Sequence, residues 1–150
     1  RRMPMVRTMS ILDADRFNLG SLTDAERIFL WRHRQLNLSG RTFGRAGPAI
    51  SQDEAAREIG LSHGAYRAIE TGRGIDVSAA EVAQTAEPIE DLMPSVAELC
   101  RVARRRSGEL LVDVYEAVGY SRPYYLRLER AGDPRVGAHW EGMGFWFPPH

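Results

Sequence analysis

Lysine is absent from this sequence, and all 20 of its basic residues are arginine. A GC-rich coding sequence gives that bias, and arginine also suits phosphate and guanine contacts. Cysteine occurs once, at Cys100, so no internal disulfide can form and a reducing, cytoplasmic setting is expected. Within Leu99-Cys100-Arg101-Val102 that residue reads as a small core side chain rather than a reactive thiol. The four histidines, His33, His63, His139 and His150, show no metal-ligand spacing. No apolar run is long enough to span a bilayer, and none of signal-peptide length follows Arg1, Arg2 and Arg7. Neither a membrane partner nor secretion is expected. Also missing are a paired acid and base, a glycine loop closed by lysine, and a Ser or Cys nucleophile in a recognisable setting, so no enzyme activity and no cofactor are expected. Glu129 and His139 read as ordinary surface residues rather than as catalytic ones.

Net charge is also missing, since 20 acids balance the 20 arginines. The distribution is uneven, however. Between Arg27 and Arg73 eight arginines face four acids, whereas Asp76 to Glu98 holds six acids and no arginine. Arg101, Arg104, Arg105 and Arg106 then follow, giving a basic, acidic, basic pattern. The acidic stretch is either a solvated linker or a contact for a protein such as RNA polymerase.

A hydrophobic share of 43% over 150 residues supports one ordinary domain or two small helical ones. Residues 1–18 show little periodicity and read as an arm. A helix is expected from the cap residues Ser21 to Asp24 through Ile28, Leu30, Trp31 and Leu36 to about Ser39-Gly40. Ser51 caps a helix that Gly60 ends, Ser62 caps one running to about Glu70, and Val77 to Thr85 allows a fourth. Pro88 and Pro94 bracket a linker or a helix start. Further helices are expected from Ser95 to Arg105, Leu110 to Val118 and Ser121 to Arg130. The tail from Trp140 to Pro149, with Trp140, Phe145, Trp146 and Phe147, reads as extended. It either closes over its own core or pairs with a second subunit.

The two halves overlay at an offset of 59. Gly60, Ser62, Tyr66 and Glu70 fall on Gly119, Ser121, Tyr125 and Glu129, and apolar Ile59, Leu61 and Ile69 fall on Val118, Tyr120 and Leu128. An internal duplication explains this better than chance.

The segment from Ser51 to Gly72 resembles the helix-turn-helix of the XRE family, relatives of the phage Cro and repressor proteins. Gly60 suits the sharp turn, Ala56 lets two helices cross closely, and Ile59, Leu61, Tyr66 and Ile69 point inward. Ser62 caps the second helix, whose N-terminus favours a negatively charged groove. The resemblance implies an all-α fold of two tandem small Cro/repressor-like domains: an arm at 1–18, a DNA-binding domain at 19–86, a diverged copy at 87–135, and an irregular or extended aromatic tail at 136–150. It further implies that Gln52 holds a backbone phosphate, that His63, Gly64, Ala65 and Arg67 face the major groove, and that Thr71 and Arg73 lie near phosphates. Arg67 would read guanine, and Glu70 would be structural. The Gly40–Pro48 loop is longer than the family's, and its Arg41 and Arg45 either grip phosphates or are simply solvated.

In the second copy, Leu111 replaces the glutamine and Tyr115 stands where a small residue is expected. Arg122, Tyr124 and Arg127 would take the groove-facing positions, with Arg104 to Arg106 near the backbone. This copy either touches DNA or serves docking and dimerisation. The expected function is a sequence-specific regulator of transcription that binds double-stranded DNA, associated with the nucleoid and acting as a homodimer or as a single chain on two half-sites. The competing expectations are a helical pair that packs without touching DNA and a protein-interaction module, either a polymerase-binding cofactor or an antitoxin.

Overall fold

The computed structural model describes residues 15–35, 50–72 and 77–149. The described residues are mostly α-helical and contain no strand, so the chain is all-α. Among them no helix is long and apolar enough to cross a membrane. They form two compact units, residues 22–93 and residues 15–21 together with 94–149. The first boundary lies after Met93 rather than after residue 86, because the short helix at 86–89 packs on the first helix of its unit.

The first unit holds α1 (Asp24–Arg34), α2 (Gln52–Ile59), α3 (His63–Thr71), α4 (Ala79–Ala83) and α5 (Ala86–Ile89). Caps set most of the starts. Thr23 with Glu26, Ser51 with Glu54, and Ser78 with Glu81 form complete capping boxes at α1, α2 and α4. Helix α1 stops at Arg34, earlier than the expected Ser39-Gly40, because Gln35 is already extended. Pro88 sits inside α5, close enough to its start for the missing N–H to matter little. The core joins Ile28 of α1, Ile50 just before α2, Ala55 and Ala56 of α2, Leu61 at the corner, Tyr66 and Ile69 of α3, and Ile89 of α5.

The second unit holds α6 (Val96–Ser107), α7 (Leu111–Val118), α8 (Arg122–Ala131) and α9 (Pro134–Gly142). Its core centres on Trp140, Tyr125, Leu99, Val102 and Val114, all essentially inaccessible. Helix α9 corrects the expectation of an extended aromatic tail over residues 136–150. Asp133 caps it, Pro134 occupies its first turn, and its Trp140 is fully buried. Only after Gly142 is the chain irregular. Trp146 there makes one isolated parallel bridge with Asn18, and Phe145 stacks edge-on to Phe17 at 4.9 Å. Residues 15–18 are thus part of a packed unit rather than an arm. Arg106 holds them by donating to the carbonyl oxygens of Arg16, Asn18 and Ser21 at 2.7–2.9 Å.

Candidate nucleic-acid interface

Helices α2 and α3 meet at a corner that only a left-handed residue makes easily. Gly60 has φ 86° and ψ 28°, and its N–H donates to the carbonyls of Ala56 and Arg57. The N–H of Leu61 also returns to Ala56 O, at 2.8 Å, closing the end of α2. Ser62 then starts α3, its Oγ accepting from the N–H of Ala65 at 3.1 Å. Tyr66 and Ile69 turn inward, and the small Ala55 and Ala56 are fully buried beneath them. What remains outward on α3 is His63, Gly64, Arg67 and Thr71, all exposed, with Ala65 and Ala68 half-buried. Among the described residues Arg67 has no ion-pair partner.

One buried carboxylate fixes this arrangement. Glu70 accepts from Arg32 Nε at 2.8 Å, Arg32 Nη2 at 2.9 Å, Gln52 Nε2 at 2.8 Å and the Tyr66 hydroxyl at 2.7 Å. Arg32 Nη1 also donates to Ile50 O at 3.1 Å. The residue at the end of α3 therefore ties together α1, the first residue of α2, and α3 itself. Burial raises its carboxyl pKa, but the bonds from Arg32, Gln52 and Tyr66 outweigh that and hold it below the ordinary carboxylate range. Burial, and then the charge of Glu70, push the Tyr66 phenol far up. Glu70 is structural, as its position suggests.

Gln52 spends one amide hydrogen on Glu70 and retains a second donor. Thr71 is exposed, but its hydroxyl donates to the carbonyls of Arg67 and Ala68 in its own helix, so it is not an open donor. Arg73, Arg41, Arg45 and the Gly40–Pro48 loop lie outside the described residues. Two of the acids on α2 are engaged within the unit. Asp53 pairs with Arg57 at 2.6 Å, and Glu54 accepts from the Ser51 N–H.

The second unit repeats the carboxylate knot. Glu129, fully buried rather than on the surface as its sequence context suggested, accepts from Arg104 Nε and Nη2, each at 3.0 Å, and from the Tyr125 hydroxyl at 2.8 Å. The acid and tyrosine are four residues apart in both knots, but arginine and acid are 38 apart in the first and 25 in the second. The first unit therefore carries thirteen more residues between the arginine and the acid of its knot, because the connection between its first two helices is longer. Arg104 is thus bonded to Glu129 and Arg106 to backbone carbonyls within the second unit.

Where the knots match, the outward faces diverge. Ser51, Gln52 and Asp53 correspond to Leu110, Leu111 and Val112, and Arg67 corresponds to Leu126 rather than Arg127. Leu110 is 66% exposed, and α7 begins with no side-chain cap. Arg122 and Arg127 are exposed, while Tyr124 is half-buried. The guanidinium carbons of Arg127 and Arg135 stand 5.8 and 6.0 Å from the Tyr124 ring centre. Arg135 also donates to the Tyr124 hydroxyl at 3.3 Å and forms a two-pronged pair with Asp133, whose carboxyl it pulls down to about 2. Sequence reasoning missed Arg135, although the Asp133-Pro134 cap that places it was visible.

Comparison with family models, with curated proteins and with solved structures finds no match for this chain.

Proposed function

We propose that residues 22–93 form a Cro/repressor-like helix-turn-helix unit that reads double-stranded DNA, with α3 lying in the major groove. The observation that carries this reading is the outward face of α3. A rigid glycine corner presents His63, Gly64 and Arg67 together, with no bulky side chain between them to hold a base edge away. Arg67 would pair with O6 and N7 of one guanine, which is worth roughly 1–3 kcal/mol of discrimination. Gln52, already oriented by Glu70, would give its second N–H to a phosphate and fix the register.

The second unit is a diverged copy of the same fold. The leucines at positions 111 and 126 remove its counterparts of Gln52 and Arg67, so one reading helix per chain is expected. Two such helices would reach a palindrome only through a dimer, with half-sites about 34 Å apart.

Selection from a randomised duplex pool tests the assignment. Arg67→Ala should relax preference at one base pair, and Gln52→Ala should weaken all sites alike. Affinity should fall steeply with salt. An unchanged selection profile for both variants sinks the assignment of α3.

A second reading follows from one observation, the exposed Leu110 and Val112 at the start of α7. An apolar edge in place of a phosphate-facing one suits a protein-interaction or dimerisation module. Concentration-dependent sedimentation that Leu110→Ser abolishes, together with weak and sequence-blind DNA binding, would favour it over the regulator.

A further inference from the structure

Helix α4 is well capped but poorly covered. Ser78 Oγ accepts from Glu81 N, and Glu81 Oε1 accepts from Ser78 N, yet none of the helix's five residues is buried. Short helices are normally held by burying an apolar stripe against the rest of the fold. Helix α4 has such a stripe, Ala79, Val82 and Ala83, and leaves it open, with Val82 42% exposed. Next to it, α5 turns Ile89 into the core and keeps Ala86 outward. These segments and the first turn of α1 frame an open groove of about 1040 Å³ within the first unit. Its apolar lining comes from Val82, Ala83, Ala86 and Ile89, and its acidic lining from Asp24, Glu87 and Glu90. Among the described residues Arg27 is the one base that lines it.

We propose that this groove docks a short basic amphipathic helix from a partner protein. The apolar stripe of such a helix would cover Val82 and Ala86, and its flanking arginines or lysines would meet Asp24, Glu87 and Glu90. Charge selects this occupant. Residues 77–93 carry four acids and no base, which repels nucleic acid and acidic peptides alike. The groove is therefore separate from the face proposed to read DNA. It is nevertheless close to it in the fold, because Gln84 at the end of α4 donates to Gly60 O, at the corner before α3, at 3.4 Å.

The test uses the full chain and a short peptide amide of leucine and arginine, with leucines spaced three and four residues apart. Amide chemical shifts should move at residues 24–27 and 79–90 and stay put on α3. The double change Glu87→Arg with Glu90→Arg should weaken binding about tenfold, the sum of two exposed ion pairs. Val82→Ser, at an exposed site that folding does not need, should weaken it as well. Glu58→Arg on α2 adds the same kind of charge outside the groove and should change little. The proposal fails if a leucine–glutamate peptide binds equally well, or if Glu58→Arg weakens binding as much as the groove changes do. It also fails if the shifts map elsewhere, or if groove shifts appear on concentrating the chain alone, which would make the occupant a second copy.

Discussion

Arg32 and Glu70 meet in a buried two-pronged pair, Nε to Oε2 at 2.8 Å and Nη2 to Oε1 at 2.9 Å. Their counterparts Arg104 and Glu129 meet in the same way at 3.0 Å, but Arg104 keeps 26% of its side chain exposed against 9% for Arg32. The first knot also has a fourth donor, Gln52, where the second has Leu111. Removing one partner of a buried pair strands the other charge, which costs about 3–5 kcal/mol. Arg32→Met should therefore destabilise the first unit by about that amount, and Arg104→Met should cost the second unit less. Urea unfolding followed by hydrogen exchange at core amides of each unit separates the two. An equal or reversed order would show that solvent does not reach Arg104 as its exposure implies.

Gly60 tests the corner independently of the knot. A Cβ added there meets nothing closer than Gln84 Nε2 at 3.5 Å, an ordinary contact, so space is not the obstacle. The φ of 86° is, and an L-residue in this region costs roughly 1–2 kcal/mol. Gly60→Ala should lower stability by that amount, and Gly60→Asn by less, because asparagine tolerates the left-handed region better. Thermal unfolding of the two variants side by side reads the difference. If alanine is the milder change, backbone strain is not what glycine relieves here.

The knot also sets two pH limits. Glu70 has a folded pKa below its unfolded value, so its contribution is complete above the ordinary carboxylate range and is lost as pH falls through the folded value. Tyr66 and Tyr125 have folded values raised far above the ordinary phenol value, so their contribution is complete below about pH 10 and lost above it. Stability should therefore fall at both ends, and Glu70→Gln should flatten the acid limb. In an ultraviolet titration, two tyrosines should ionise only when the chain unfolds at alkaline pH. Ionisation of all five in the folded state would contradict the buried hydroxyl bonds to Glu70 and Glu129.

Five helix starts were legible because a capping side chain announces each locally. Thr23, Ser51, Ser62, Ser95 and Ser121 all accept from a backbone N–H a few residues on. So were the corners at Gly60 and Gly119, which share nearly the same conformation. Helix α9 was not, because its aromatic residues look strand-like and Asp133-Pro134 reads as a stop when taken only with what precedes it. The partners of Glu70 and Glu129 were hidden for a different reason. Arg32 and Arg104 lie outside the 59-residue register, displaced by the longer connection in the first unit, so no repeat in the sequence lines them up. Long-range pairing of this kind is set by packing rather than by local pattern.

Cys100 is fully buried in the second unit, and burial, with help from Glu129 and Glu141, pushes its thiol up to about 12. The reactive form of a cysteine is the thiolate, so this one should be inert while the chain is folded. A chromogenic disulfide reagent at pH 8 should react only as fast as the second unit opens, and urea should accelerate it steeply. Immediate stoichiometric reaction would mean that the α6 core is open to solvent.

Leu110 makes the sharpest contrast between the two units, since it occupies the position where Ser51 caps α2. Its side chain is 66% exposed, so little packing would be lost on replacing it, while the first turn of α7 would gain a missing hydrogen bond. Leu110→Ser should therefore stabilise the isolated chain by about 1 kcal/mol, raising its melting temperature. Asp113 at the third helical position is shorter than Glu54, so the reciprocal half of the capping box should not form and the gain should stay below the full value for α2. Measured at low and high protein concentration, the same variant separates two roles for the leucine. A gain at both concentrations marks Leu110 as a surface residue with no partner. A gain at low concentration that turns into a loss at high concentration places Leu110 in a contact between chains, where its burial outweighs the cap it displaced.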